Sequence, residues 1–450
     1  MKIMFVSLGC DKNLVDTEMM LGMLNERGHE FTDDENEADV VVVNTCSFIK
    51  DAKEESINTL ISMGNLKTEG SLKGLVACGC LAERYSDEIR ELIPEVDEIV
   101  GTMAIDEICN AIDAVESKKR ETFKKPISGD LVYGKPRIST TGGHYAYLKI
   151  AEGCAKRCTY CAIPTFRGNY RSVPMEVLLE EASKLAEKGA KELILVAQET
   201  TLYGKDLYGE KRLPKLLKEL SKIPGLYLIR LLYCYPEEID DELIEEMKTN
   251  SKVCHYIDMP IQHASDAVLK RMGRRTNERD LLELISKLRK QIPDICLRTT
   301  LISGFPGENH KDFKKLLNFV RTVRFDRLGV FTYSKEENTA AADFNNQVPE
   351  MVKKYRQRAI MKAQQKIAYE KAFDEIGKHL LVMVEGRMPS EELDGKNIYV
   401  CRTYKDAPNV DGFLFLETDK ELMSGDFIKV VVTNSNKYDL VGVSEDEFTE

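Results

Sequence analysis

Short apolar runs alternate with amphipathic windows along the first hundred residues. The runs are four to seven residues long, and each window spaces its apolar residues along one helix face. This alternation is typical of a parallel sheet with crossover helices, so the first part of the chain is predicted to be an α/β domain. The predicted strands are KIMFVSLG, ADVVVVNT and KGLVACG, and the predicted helices are DTEMMLGMLNERG, DAKEESINTLISMGN and YSDEIRELIPEVD.

The same alternation resumes at Tyr145 and continues through six strand-like runs. Six consecutive strand–helix units favour a barrel of parallel strands, in which the chemistry takes place at the C-terminal ends of the strands. We therefore predict a partial (β/α)6 barrel. Its strands are YLKIA, ELILVAQ, YLIRLLY, HYIDMP, CLRTTLISG and RLGVFTYS.

Three further patterns complete the chain. Residues 349–376 begin with a proline and continue as one long amphipathic helix. The short alternating runs that follow, separated by Gly and Asp turns, predict a small antiparallel β-barrel. The polar, basic residues 117–143 predict a linker with an entry hairpin. The predicted organisation is an α/β domain (1–125), a linker (126–141), the partial barrel (142–348), a connecting helix (349–376) and the terminal barrel (377–447).

The composition is that of a globular protein, with 43% hydrophobic and 31% charged residues. No apolar stretch approaches the roughly 20 residues that span a bilayer, and Asp11 and Lys12 interrupt the N-terminal run before it reaches signal-peptide length. We therefore expect a cytoplasmic protein without a membrane partner. In that reducing compartment the 12 cysteines should bind metal or pack in the core. The net charge of −11 argues against a broad polyanion-binding surface.

Three cysteines crowd into the stretch AEGCAKRCTYCAIPTFRG, directly after the first strand of the predicted barrel. Cys154, Cys158 and Cys161 have the spacing C-x3-C-x2-C, and the next cysteine, Cys234, lies in an apolar run. A structural zinc site needs four ligands, and no histidine stands at the spacing of zinc motifs. Three thiolates favour a [4Fe-4S] cluster with one open iron, with zinc as the alternative.

Three other cysteines, Cys10, Cys46 and Cys80, each follow a predicted strand of the first domain. Cys46 lies 36 positions after Cys10, and Cys80 lies 34 positions after Cys46, which matches one strand–helix repeat. Because the carboxyl ends of parallel strands meet at one edge of a sheet, we expect these thiols to converge there. The neighbouring Cys78 ends a strand and is expected in the core, whereas Cys80 is expected in the loop beyond it.

The C-x3-C-x2-C motif, with Tyr160 before its last cysteine and six βα units around it, resembles the radical S-adenosylmethionine (SAM) superfamily. That resemblance implies that the open iron binds SAM and that an electron cleaves SAM to a 5′-deoxyadenosyl radical. The other cysteines and the terminal barrel, which is similar to a TRAM domain, extend the resemblance to radical SAM methylthiotransferases over essentially the whole chain. In that family Cys10, Cys46 and Cys80 would hold an auxiliary [4Fe-4S] cluster, so the implied cofactors are two clusters and SAM.

Several stretches resemble the RimO branch of this family, which modifies the β-carbon of an aspartate in the twelfth protein of the small ribosomal subunit. The chain departs from the family in loops, most notably at Asp11, where the family usually has Pro. From Lys378 onward there are 8 Lys or Arg against 15 Asp or Glu. The resulting net charge of −7 would attract a basic ribosomal protein more than RNA. The stretches are SLGCDKNLVDTE, AEGCAKRCTYCAIPTFRG, AQETTLYGKDLYG, LLYCYPEEI, IQHASDAVLKRMGRR and GVFTYSKEENTAAA.

Two alternatives stay open at this stage. The MiaB branch of the same family methylthiolates an isopentenyl-adenosine in tRNA. A protein of another class, a non-catalytic iron–sulfur or zinc scaffold, would bind ribosomal components through the terminal barrel. The resemblance further implies an electron donor as a partner, with nucleic acid contacted only through the ribosome.

Further candidates for SAM contacts lie near predicted strand ends or beside the cluster motif. They are Tyr160, Gln198, Gln262, His263 and Gly304. A lone histidine is more often a structural hydrogen-bonding residue, and a glycine at a strand end often only turns the chain. Because a radical would break the difficult bond, we predict no catalytic side chain beyond the cluster ligands.

Overall fold

The N-terminal unit is a parallel sheet between two layers of helices. The computed structural model describes residues 1–70, 72–389 and 397–448, so residues 390–396 of the predicted terminal barrel lie outside the described part. Val40 and Val42 pack into one hydrophobic cluster and Val41 and Val43 into another, as expected for a strand buried on both faces. The strands are β1 (Lys2–Ser7), β2 (Glu30–Phe31), β3 (Val40–Thr45), β4 (Gly74–Cys78), β5 (Glu98–Val100) and β6 (Thr122–Phe123), in the order β2-β1-β3-β4-β5-β6. The helices are α1 (Asp11–Glu26), α2 (Lys50–Thr68), α3 (Gly79–Arg84), α4 (Ser86–Leu92) and α5 (Ile108–Glu116).

The three predicted strands of this unit are confirmed as β1, β3 and β4. The sequence did not indicate β2, β5 and β6, because two or three residues are too few to show a period. The predicted entry hairpin is wrong: in residues 117–143, all of which the structure describes, the single strand is β6, and it pairs in parallel with β5.

The central unit is a parallel sheet of six strands, which confirms the predicted βα series. Its principal strands are β7 (Tyr145–Lys149), β10 (Glu192–Val196), β11 (Leu228–Leu231), β12 (Val253–Asp258), β13 (Cys296–Ser303) and β14 (Arg327–Thr332), and they follow one another in this order across the sheet. A small antiparallel pair, β8 (Ala151–Glu152) and β9 (Arg171–Ser172), flanks the cysteine motif. The helices are α6 (Ile163–Phe166), α7 (Met175–Glu187), α8 (Lys205–Tyr208), α9 (Leu213–Leu220), α10 (Asp241–Thr249), α11 (Asp266–Arg271), α12 (Glu278–Gln291) and α13 (His310–Val323).

A long helix and a closed barrel complete the chain. Helix α14 (Glu350–Phe373) packs along β14 and α13. The barrel confirms the predicted terminal β-barrel, with the strand order β15-β16-β17-β19-β18. None of the described helices combines the length and apolar character needed to cross a membrane. The barrel strands are β15 (His379–Arg387), β16 (Asn397–Arg402), β17 (Leu414–Thr418), β18 (Phe427–Asn436) and β19 (Asp439–Ser444).

The units are joined by buried contacts. Helix α1 contributes Val15 and Met19 to a hydrophobic cluster that also contains Tyr147 of β7 and Ala407 from the terminal barrel. A Cβ atom at Gly22 of α1 would lie 2.1 Å from the carbonyl oxygen of Pro136, so the linker packs directly on this helix. The N-terminal sheet is therefore fixed against the central sheet, which sets how the two cysteine groups face each other.

Candidate functional site

Three cysteines of the N-terminal unit meet at the carboxyl edge of its sheet; we call Cys10, Cys46 and Cys80 the strand-end triad. Cys10 is the N-cap of α1, and Cys46 directly follows β3. Cys80 lies in the first turn of α3, not in a loop as expected. Gly9 has a φ of +90°, and a Cβ atom there would lie 2.9 Å from the Cys46 Sγ, so the Cys10 loop comes this close only with glycine.

Two thiols of the strand-end triad, Cys46 and Cys80, are buried, and Cys10 is partly exposed beside them. Burial raises the pKa of Cys80 to about 12; the Arg167 guanidinium acts against this rise, and negative charge on Cys10 and Cys46 contributes to it. Burial also raises the pKa of Cys46, with Cys10 acting in the same direction. Three thiolates could coexist here only with positive charge to compensate them, which is the chemistry that a bound cluster iron supplies.

A buried cation, Arg167, contacts this triad. Its guanidinium is 2% exposed, and its Nε donates to the Cys80 Sγ at 3.3 Å. Phe166 and Ala162, from the same segment, pack against Cys80. The segment that follows the C-x3-C-x2-C motif therefore reaches the strand-end triad.

The cysteines of the motif lie in the loop after β8; we call Cys154, Cys158 and Cys161 the motif triad. Burial raises the pKa of Cys154 to about 11 and that of Cys161 to about 12, and negative charge on Cys158 contributes to both rises. The Cys158 Sγ lies 3.8 Å from the Tyr235 Oη.

Neither triad is gathered around a single point. Across residues 1–70, 72–389 and 397–448, no group of three or more His, Cys, Asp or Glu side chains is placed to hold one metal ion. Each triad provides three cysteines whose charges act on one another, in surroundings that combine apolar side chains with buried charged ones. That donor set fits a cluster that distributes its protein ligands over several irons.

A cleft with about 650 Å³ of empty space, part of it open to solvent, lies between the N-terminal and central units. Phe48, two residues beyond Cys46, lines one side, and Cys161 lines the other. Gln262 lies beyond the carboxyl end of β12, where a barrel carries its chemistry, and Thr300 lies in the middle of β13. The full lining is Phe48, Ile49, Tyr160, Cys161, Ala162, Ile163, Phe166, Gln262, Thr300, Ile302, Phe331, Thr332, Tyr333, Ser334 and Glu336.

Two of the predicted SAM-contact residues lie in this cleft. Tyr160 lines it and stacks edge-to-face on Phe305, with ring centroids 6.3 Å apart. Gln262 also lines it and has a left-handed backbone, with a φ of +69°. A left-handed glutamine at a strand end is a form of local strain often found at functional sites.

The other three predicted contacts are engaged within the protein. The Gln198 Nε2 donates to Glu152 at 2.6 Å. His263 is fully buried, and its Nδ1 accepts from the Ser265 backbone N–H at 2.9 Å. Its Nε2 lies 3.7 Å from Glu308 and has no hydrogen-bond partner among the described residues. Gly304 has a φ of +73°, and a Cβ atom there would lie 2.3 Å from the Lys353 side chain, so glycine serves a close approach of α14.

Two buried charged residues near the motif triad were missed by sequence reasoning. Burial raises the pKa of Glu199 to about 7, and its Oε2 has no hydrogen-bond partner among the described residues. Arg274 stacks over the Tyr235 ring at 4.3 Å, and its Nε and Nη1 likewise have no hydrogen-bond partner within the part of the chain that the structure describes. The only sequence signal was that Glu199 follows Gln198 at a strand end.

The sequence matches three protein families. The Radical SAM superfamily covers residues 148–320, the TRAM domain covers residues 376–444, and an uncharacterized family, UPF0004, covers residues 2–101. These ranges fall in the central, terminal and N-terminal units, respectively.

Several full-length relatives share one name. A protein of Lachnoclostridium phytofermentans named ribosomal protein uS12 methylthiotransferase RimO is 57% identical over 99% of this chain and 100% of its own length. Proteins with the same name from Acetivibrio thermocellus and a Thermoanaerobacter species are 50% and 48% identical, over 98% and 97% of this chain and 98% of each relative.

Solved structures share the fold at low sequence identity. TsrM from Kitasatospora setae, a radical SAM methyltransferase with cobalamin and a [4Fe-4S] cluster bound, aligns with a TM-score of 0.56 at 14% identity, covering 76% of each chain. OxsB, a cobalamin-dependent SAM radical enzyme, aligns with a TM-score of 0.52 at 14% identity, covering 81% of this chain and 57% of its own.

Proposed function

Because the chain belongs to the RimO family of ribosomal protein uS12 methylthiotransferases, which carry a radical SAM domain, we propose that it inserts a methylthio group at the β-carbon of an aspartyl residue of uS12. uS12 is the twelfth protein of the small ribosomal subunit, which is the substrate that the resemblance in the sequence implied. Family membership at this identity over full length favours this reaction over the tRNA branch and over a non-catalytic scaffold.

Two [4Fe-4S] clusters would carry the reaction, one on each triad. The observation that carries the proposal is that both triads adjoin one cleft: Cys161 lines it, while Cys80 packs against Ala162 and Phe166 beside it. When bound, the cluster on the motif triad supplies the electron that cleaves SAM, and the cluster on the strand-end triad holds the sulfur to be transferred.

The polar groups around the motif triad fit the amino-acid end of SAM. That end carries an ammonium and a carboxylate. The Glu199 Oε2 is a buried acceptor that has no hydrogen-bond partner among the described residues and lies 3.8 Å from the Lys156 Nζ. The Arg274 Nε and Nη1 are donors that likewise have no hydrogen-bond partner among those residues. The Lys156 Nζ also lies 3.5 Å from Glu237. Glu237 in turn lies 4.0 Å from Arg274. We assign Glu199 to the ammonium and Arg274 to the carboxylate.

The apolar cleft would exclude water from the reacting carbon. Phe48, Ile163 and Phe331 line it with carbon surface, which would shield reactive intermediates from bulk water and its side reactions. The acidic residues from Lys378 onward, with their net charge of −7, would attract a basic ribosomal protein to the same enzyme. A ribosomal substrate also implies a cytoplasmic location and a separate electron donor.

Iron content and two cysteine variants test the division between the triads. Anaerobic reconstitution should load about eight irons per chain. Cys158→Ala should abolish formation of 5′-deoxyadenosine from SAM, whereas Cys46→Ala should retain it and lose methylthiolation of uS12. Both products are measured by mass spectrometry in one reaction with dithionite as reductant.

A matched control separates ligand cysteines from buried core cysteines. Cys78 is fully buried and stands two residues before Cys80, so Cys78→Ala should keep the full iron content and both products. Stoichiometric zinc in place of iron, or loss of SAM cleavage in Cys46→Ala, would contradict the proposal.

A further inference from the structure

We infer that Arg167 is a positioning residue for the auxiliary cluster, in that it binds the Cys80 sulfur, holds the three cysteine loops together and raises the reduction potential of the cluster. This inference rests on the proposed function, because it takes the strand-end triad as the ligands of that cluster.

The guanidinium uses each of its nitrogens on a different group. Its Nε donates to the Cys80 Sγ at 3.3 Å, and its Nη2 donates to the Asn13 Oδ1 at 2.5 Å. Its Nη1 donates to Asp16 at 2.7 Å and to Glu152 at 3.0 Å. All of these partners are buried. A planar fork with fixed donors can satisfy such a set, whereas an ammonium at the end of a flexible stem cannot.

Asn13 extends this arrangement to the other two cysteine loops. Its Nδ2 donates to the carbonyl oxygen of Leu8 at 3.1 Å and to that of Thr45 at 3.0 Å. Leu8 lies two residues before Cys10, and Thr45 directly precedes Cys46. One guanidinium therefore contacts Cys80 directly and the loops of the other two cysteines through a single amide.

The surrounding charges make Arg167 the balancing cation. Asp16 and Glu152 are also in contact with Lys149, whose Nζ lies 3.0 Å from Glu152. Two carboxylates and two cations leave this group neutral beside the sulfur. Removing the guanidinium would leave a net negative charge next to the cluster, with one hydrogen bond fewer to its ligand.

Both losses act on the reduction potential in the same direction. Reduction adds negative charge to the cluster, and hydrogen bonds to its sulfurs together with nearby positive charge stabilise the reduced form. Without Arg167 the cluster should be harder to reduce. Arg167 stands six positions after Cys161. The segment that carries the motif triad therefore also carries the arginine that contacts the strand-end triad.

The test measures the auxiliary cluster alone in the full-length chain. The parent protein carries Cys154→Ala, Cys158→Ala and Cys161→Ala, so that only the strand-end triad can be loaded. Arg167→Gln and Arg167→Lys are added separately. Arg137→Gln is the matched control. Arg137 is a buried guanidinium that donates to Glu18 at 2.7 Å, in the helix α1 that also carries Asn13 and Asp16, and among the described residues it has no recorded hydrogen bond to a cysteine.

Iron content and the EPR signal of the reduced cluster are followed through a redox titration. We expect about four irons in each protein and, for Arg167→Gln, a fall of about tenfold in the ratio of reduced to oxidised cluster at a fixed potential, which is about 59 mV for one electron. Arg167→Lys should show a smaller fall because it keeps the charge, and Arg137→Gln should match the parent.

The outcomes separate this inference from the proposed function. A parent protein without iron would overturn the auxiliary cluster and the inference together. Four irons with a potential unchanged in both Arg167 variants would overturn the inference alone. If Arg167→Gln takes up no iron, the potential of Arg167→Lys decides: a value equal to that of the parent overturns the inference, and a lower one supports it.

Discussion

A buried ion triplet joins the central sheet to the terminal barrel, and Glu192→Gln should disrupt it. Glu192 of β10 accepts from the Arg230 Nε at 2.6 Å and lies 2.8 Å from the Arg402 Nη1. Glu192 and Arg230 are fully buried, and Arg402 is 2% exposed. Burial acts to raise the pKa of Glu192, but the two guanidiniums outweigh it and hold the pKa below its usual value.

The cost follows from what each arginine keeps after the substitution. Arg402 still has the carboxylate of Glu385 at 2.7 Å, whereas Arg230 keeps only neutral partners among the described residues, the Tyr404 carbonyl oxygen and the face of the Tyr256 ring at 4.7 Å. Leaving one buried charge unpaired costs about 3–5 kcal/mol. Since a domain is stable by only about 5–15 kcal/mol, Glu192→Gln should remove a large share of the stability of this junction.

Urea unfolding of the full chain, followed by pulse proteolysis, measures this loss. Glu219→Gln is the control, because Glu219 pairs with Lys222 at the surface and should change the free energy of unfolding by less than about 1 kcal/mol. Replacing Arg230 with Met in addition to Glu192→Gln should recover much of the loss, since no buried charge then stays unpaired. A cost for Glu192→Gln no larger than that of the surface control would refute this account of the junction.

Two further substitutions test the packing and electrostatics of the N-terminal unit. Gly22→Ala should lower the free energy of unfolding by about 1–3 kcal/mol, because its Cβ would lie 2.1 Å from the Pro136 carbonyl oxygen. The control is Gly386→Ala, which has open space at its Cβ and should leave the melting temperature nearly unchanged. Equal losses of stability in the two variants would speak against this packing. Burial raises the pKa of Glu98 to about 7, so ionising it destabilises the folded state progressively as the pH rises from about 4.3 to about 7. Glu98→Gln should therefore gain melting temperature relative to the natural protein at pH 8 but not at pH 4, and a gain independent of pH would contradict the assignment.

The sequence predicted the elements whose patterns are long and regular. The six central strands were identifiable because their runs are nearly continuous apolar segments, as buried parallel strands require. Strand β5 could not be identified from the sequence, since it has three residues and begins with the buried Glu98. Cys80 was placed in a loop because nothing in GCLAERY marks a helix start; in the structure β4 passes directly into α3 through Gly79, whose φ is +87°.

The residues around the triads were harder to predict than the triads themselves. Cysteine ligands can be recognised in a sequence by their residue type and spacing. A charged residue stands out only when it is buried, and burial is not visible in the sequence. Arg167 and Cys80 are 87 positions apart, and their contact depends on how the central unit docks against the N-terminal sheet. Glu199 and Arg274 are similar, because charged residues near strand ends and helix ends are common in any sequence.

Methylthiolation of uS12 is the central claim, and the mass of that protein tests it most directly. Reconstituted enzyme is incubated anaerobically with SAM, a sulfide source and dithionite, in parallel with purified uS12 and with tRNA that carries isopentenyl-adenosine. We predict that uS12 gains the mass of one methylthio group on an aspartyl residue and that the tRNA is unchanged. A methylthio group on the tRNA with unmodified uS12 would contradict the account.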